Sequence, residues 1–189
     1  MRPIRHWATL ATGDRLERGR ATLVIGSCLG LAAAVLAMLL VWWISGDLQA
    51  VTVAGILAFI LLLVGIAALA WGGRATLAAG LLVALLALLI LVDAAAFGLG
   101  SPAAASYVVP VVLAACTLGL APAIGVALFG SVAVWLIAWA ASAVWYQPLI
   151  PFAPSHLTFN APLFTVLFWL VALIVGSWSR YTCQRMEDG

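Results

Sequence analysis

Asp93, Tyr107, His156 and Asn160 are the side chains with the clearest capacity for chemistry. They fall close to one another in predicted depth, together with Ser101, Ser106, Tyr146 and Thr158. With Trp139 and Trp145 at similar depth, they would line an outward-facing pocket for a small amphipathic ligand. Asp93 leads this set, because a carboxylate at the end of an apolar run seeks a partner such as His156 or Tyr107. The competing reading is ordinary: aromatic and polar residues gather at the edges of apolar helices as interfacial anchors.

Other chemistry is excluded by what the chain lacks. All eight positive charges are arginine, so no lysine is present to form a Schiff base with retinal or another aldehyde. His6 and His156 fall on opposite sides of the predicted membrane and cannot jointly hold a haem or a metal. Ser27, Ser131 and Ser142 have no histidine at their depth to activate them. No enzyme activity, cofactor or metal site is expected. Coupled transport is disfavoured because Asp93 is the one carboxylate within the predicted spans, and it lies near an end.

The elements that must position these residues follow from composition. A chain that is 67% hydrophobic and 7% charged, with mean hydropathy +1.25, cannot cover a globule with polar surface. Lipid is the solvent it fits. Its net charge of +2 is small and concentrated toward the ends, and implies no nucleic-acid partner. The expected fold is all-α: a polytopic membrane protein with six transmembrane helices, in spans of about 21–45, 51–71, 75–97, 104–118, 123–146 and 162–180. The first run is long enough to be a retained span rather than a cleaved leader. Residues 1–20 are a basic, amphipathic cytoplasmic segment carrying Ile4, Trp7 and Leu10, and 181–189 a cytoplasmic tail.

Arginine placement sets the orientation. Arg15, Arg18 and Arg20 precede the first run, Arg74 lies between the second and third, and Arg180 and Arg185 follow the last. With six crossings all of them stand on one side, which by the positive-inside rule is the cytoplasmic face of a bacterial inner membrane, with both termini there. Cys28, Cys116 and Cys183 lie toward that side, so no disulfide is expected.

Local signals add detail. Asp14-Arg15-Leu16-Glu17 reads as a capping-box-like helix start, with Gly13 separating it from the preceding amphipathic face. Pro110 falls within the shortest span and predicts a kink there. Pro122 and Pro162 are placed to open helices. Arg-Ala-Thr-Leu occurs at Arg20 to Leu23 and again at Arg74 to Leu77; either a hairpin repeat or the common demands of a helix's inner start would produce it.

Three segments carry a family resemblance. They are Asp14 to Ala21 before the first span, Ser106-Tyr107-Val108-Val109-Pro110-Val111-Val112-Leu113 opening the fourth, and Leu118-Gly119-Leu120-Ala121-Pro122 before the fifth. Together with a proline-rich outer loop, they resemble the N-terminal six-span modules of bacterial sensor histidine kinases and related PAS, GAF or diguanylate-cyclase receptors. That resemblance implies a membrane-embedded sensory or signal-input module, with a homodimer or a separate cytoplasmic signalling protein as partner besides the bilayer. After Tyr181 no phosphoacceptor or nucleotide-binding motif follows in this sequence, so a module lacking its own catalytic output domain is expected. Two alternatives stand beside it. One is the membrane component of a small-molecule transporter. The other is a structural subunit packing through small residues such as Gly26, Gly30, Ala33 and Ala37, a spacing that also serves packing within one chain.

Overall fold

The computed structural model describes residues 3–45, 50–102, 104–143, 148–149, 153 and 156–188, with side chains described from Glu17 to Ser179 except at 50–52 and 156. Helix accounts for most of them and no strand occurs among them. The helices are α1 (Pro3–Ser45), α2 (Ala50–Trp71), α3 (Ala75–Phe97), α4 (Val108–Thr117), α5 (Leu120–Ser142) and α6 (Ala161–Asp188). A 3-10 turn, Ala104–Tyr107, leads into α4, and a π-helical turn, His156–Asn160, leads into α6.

Five helical stretches are long and apolar enough to cross a membrane: Glu17–Ser45, Val53–Trp71, Ala75–Phe97, Leu120–Ser142 and Leu157–Ser179. The remaining apolar helix, Ala104–Thr117, is shorter. Large apolar side chains point outward along these helices, among them Leu61, Trp71, Val92, Leu136, Val166 and Ile174, all exposed. Small ones point inward. Ala123, Ala127, Gly130 and Ala138 form the buried face of α5, with Val134 and Ile137 as the larger members. That inversion of size suits lipid, where close helix packing rather than burial of bulky groups holds helices together.

The chain divides into two compact units, Met1–Leu82 and Val83–Gly189, with the division inside α3. In the first, α1 packs against α2. Val24 and Cys28 on α1 and Leu63, Ile66 and Ala70 on α2 are buried at helical spacing. In the second unit, α4, α5 and α6 pack against one another. Their shared core holds Tyr107, Val111, Ala114, Ala127, Val134 and Phe168.

Glycine ends the helices where the sequence breaks. Gly73 (φ 80°) and Gly119 (φ 100°) adopt the left-handed region that a side chain disfavours. Arg74 N–H then bonds the Leu69 carbonyl at 3.1 Å, and Gly119 N–H the Ala114 carbonyl at 2.9 Å, satisfying carbonyls at the ends of α2 and α4.

Several boundaries differ from the sequence reading. No helix starts at Asp14; α1 runs unbroken from Pro3 through Gly13 to Ser45. One glycine costs only about 1 kcal/mol within a helix, and the Asp14/Arg18 and Glu17/Arg20 spacings favour continuation. The α6 helix extends through residues 181–188, beyond the span expected at 162–180. Pro110 is the third residue of α4, in its first turn, not in the middle of a longer helix. Its missing N–H sits where helical amides have least need of a partner. The change from 3-10 to α geometry falls just before it, between Tyr107 and Val108. α5 opens at Leu120, three residues earlier than expected, because Gly119 caps it and Pro122 fits its first turn.

Candidate functional site

The second unit contains the most unusual polar group of the described residues. Tyr107, the last residue of the 3-10 turn, is fully buried, and its hydroxyl has no hydrogen-bond partner. Two other buried hydroxyls return to their own helices. Ser131 donates to the Ala127 carbonyl at 2.7 Å, and Thr117 to the Leu113 carbonyl at 2.6 Å. A phenol on a rigid ring cannot reach back in that way. An unpaired hydroxyl in such surroundings costs on the order of 1–3 kcal/mol.

Two aromatic rings and a glycine hold Tyr107. Its ring centroid lies 5.6 Å from that of Phe168 on α6, inclined by 57°. Phe129 of α5 approaches edge-on at 6.4 Å. Gly130 of α5 supplies the floor: a Cβ there would stand 3.1 Å from Tyr107 Cδ1 and 3.3 Å from Phe168 Cδ2. Phe164 stacks on Phe168 one turn along α6, at 6.4 Å and 10°. The 3-10 turn, α5 and α6 therefore meet at one aromatic cluster around an unsatisfied hydroxyl.

The residues expected to line an outer pocket do not share one environment. Asp93 is exposed while Tyr107 is buried, and the pairing expected between them is not made. Asn160 is tied down as a strut: its Nδ2 donates to the Leu99 carbonyl at 3.2 Å, joining the start of α6 to the end of α3. Nearby, the Leu149 amide bonds the Ala96 carbonyl at 2.9 Å. Trp139 is half exposed on α5, one turn beyond Trp135, whose Nε1 donates to Thr165 Oγ1 at 3.1 Å. Trp145 and the side chain of His156 lie outside the described residues, as do those of Arg15, Arg180 and Arg185.

Of the remaining topology residues, Arg18 and Arg74 are exposed and Arg20 is half-buried. The small-residue stripe of α1 does not face α2 among the described residues of the first unit. Gly26, Gly30, Ala33 and Ala37 are all exposed, and a Cβ at either glycine would meet nothing within 4 Å.

Gly130 and Phe168 escaped sequence reasoning. A glycine within an apolar run signals close approach only once its neighbour across the helix pair is known. The chain matches no protein family, no curated protein and no solved structure with which it was compared.

Proposed function

We propose that this chain is a membrane-embedded signal-input module of a bacterial inner membrane that senses the state of the bilayer and passes it along α6. In this reading the chain crosses six times, the Ala104–Thr117 segment included, and both termini face the cytoplasm, as the one-sided arginines favour. Output is delivered to a partner, either a second copy or a separate signalling protein.

The carrying observation is the buried, unpartnered Tyr107 hydroxyl set against Phe168 of α6. A two-state device needs a second packing of comparable energy that a stimulus favours unequally. A polar group left unsatisfied in one packing supplies such a term, because any rearrangement that gives it a partner recovers the desolvation cost. The α6 helix suits transmission, since it continues without a break from its apolar stretch to Asp188.

Bilayer thickness is the stimulus that the short segment fits. Four residues of 3-10 helix followed by ten of α-helix rise roughly 23 Å, against a hydrocarbon core of about 30 Å. A crossing that short strains in a thick bilayer and relaxes in a thin one. Tyr107 stands at its change of helical type.

The reading is tested by hydrogen–deuterium exchange of the full chain in nanodiscs with short and long acyl chains. Exchange at Ala104–Thr117 and at α6 should change together. Exchange that is the same at both thicknesses would remove the proposal.

A further inference from the structure

Within the first unit, α1, the end of α2 and the turn between α2 and α3 line an open cleft of about 530 Å³. Glu17 and Arg18 stand on its α1 wall above Ile25, and Trp71 and Ala75 form the facing wall. The apolar run of α1 begins just after Arg20, the apolar stretch of α2 ends at Trp71 and that of α3 begins at Ala75. Three apolar stretches thus end at one level, where hydrocarbon gives way to headgroups.

The chemistry of the lining selects among headgroups. A carboxylate and a guanidinium in one cleft match a ligand that carries a cation and an anion a few bonds apart. The Trp71 indole is largely exposed, at 85%, and an aromatic face at this level attracts a bound ammonium. Ile25, Ala21 and Ala70 offer an apolar floor for the glycerol and the first methylenes. A purely anionic headgroup would sit beside the Glu17 carboxylate without compensation. A choline headgroup presents no N–H to that carboxylate.

We infer that this cleft binds a phospholipid whose headgroup ends in a primary ammonium. Its phosphate lies on Arg18, and its ammonium lies on Glu17 and the Trp71 face. The site is independent of the Tyr107 cluster and of the signalling role.

Purified full-length protein in detergent micelles is titrated with phosphatidylethanolamine, phosphatidylcholine and phosphatidylglycerol of identical acyl chains, with binding read by native mass spectrometry. The ethanolamine lipid should bind about two- to fivefold more tightly than either of the others, the range expected of partly exposed charge contacts. Glu17→Gln should abolish that preference, Glu17→Asp should keep it, and Arg18→Gln should weaken binding of all three. Equal binding of the three lipids by the wild type, meaning annular lipid only, would overturn the site. So would preference for phosphatidylglycerol, or an ethanolamine preference that survives Glu17→Gln. Circular dichroism of each variant confirms that it retains its helices; if Glu17→Gln does not, Trp71→Leu serves in its place and should reduce the preference.

Discussion

Tyr107 rests its ring on Gly130, so close that a Cβ at the glycine would stand 3.1 Å from Tyr107 Cδ1 and 3.2 Å from Cγ. Alanine favours a helix over glycine by about 1 kcal/mol, so an open position would gain stability from Gly130→Ala. Here the ring is fully buried and backed by Phe168, and it has little room to yield. Overpacking of this kind costs about 1–3 kcal/mol. Gly130→Ala should therefore lower the unfolding midpoint of the reconstituted protein, and the paired change Tyr107→Leu should restore part of the loss.

A second close approach joins α6 to the start of α5. A Cβ at Gly176 would fall on Leu120 Cδ1 and stand 3.3 Å from Leu120 Cα. Because backbone is involved, a rotamer change alone does not relieve it. Gly176→Ala should destabilise the second unit by about 1–3 kcal/mol, and the double variant with Leu120→Ala should recover only part of that. Thermal unfolding of the four proteins of this cycle measures the coupling.

Asn160 and Leu99 are 61 residues apart, and the Asn160 amide donates to the Leu99 carbonyl at 3.2 Å. Asn160→Ala should cost about 1 kcal/mol and raise amide exchange at Leu149, whose N–H bonds Ala96 in the same region. If Asn160 instead lined a ligand pocket, the change would alter ligand retention and leave exchange at Leu149 as it was.

Topology is decided by the short segment. If Ala104–Thr117 crosses, reporter fusions after Arg74 and after Asp188 both report the cytoplasm. A C-terminal reporter active only outside would show that the chain crosses five times and that Arg180 and Arg185 break the positive-inside pattern.

The helices were legible in the sequence because glycines mark their ends. Gly73, Gly98 and Gly119 each take positive φ at the end of an apolar run, and the bounds of α3 agree with the expected 75–97. The continuity of α1 was less legible, since the polar residues around Asp14 resemble a cap yet also suit a helix interior. The site was the least legible part. Depth along a span placed Asp93, Tyr107 and Asn160 together, but depth does not say which way a side chain points. The structure exposes Asp93, buries Tyr107 and bonds Asn160 to backbone. Each outcome depends on pairings between helices far apart in sequence, and a single chain carries no local signal for them.

The Tyr107 hydroxyl makes a further separation possible. If it is only an unsatisfied group, Tyr107→Phe removes a cost and should raise stability by about 1–2 kcal/mol in every bilayer. If it finds a partner in a second packing, the gain appears only where the packing seen here prevails, and it falls where the other takes over.

The most direct test reads the packing itself. Spin labels at Val109→Cys on α4 and Ile174→Cys on α6, both at exposed positions, are placed in a background without Cys28, Cys116 and Cys183. Their distance distribution is measured in phosphatidylcholine bilayers of increasing acyl length. Two populations whose balance moves with thickness are expected, and a single fixed population once Tyr107→Phe is added. One unchanging distance at every thickness in the protein with Tyr107 intact would contradict the proposed second packing.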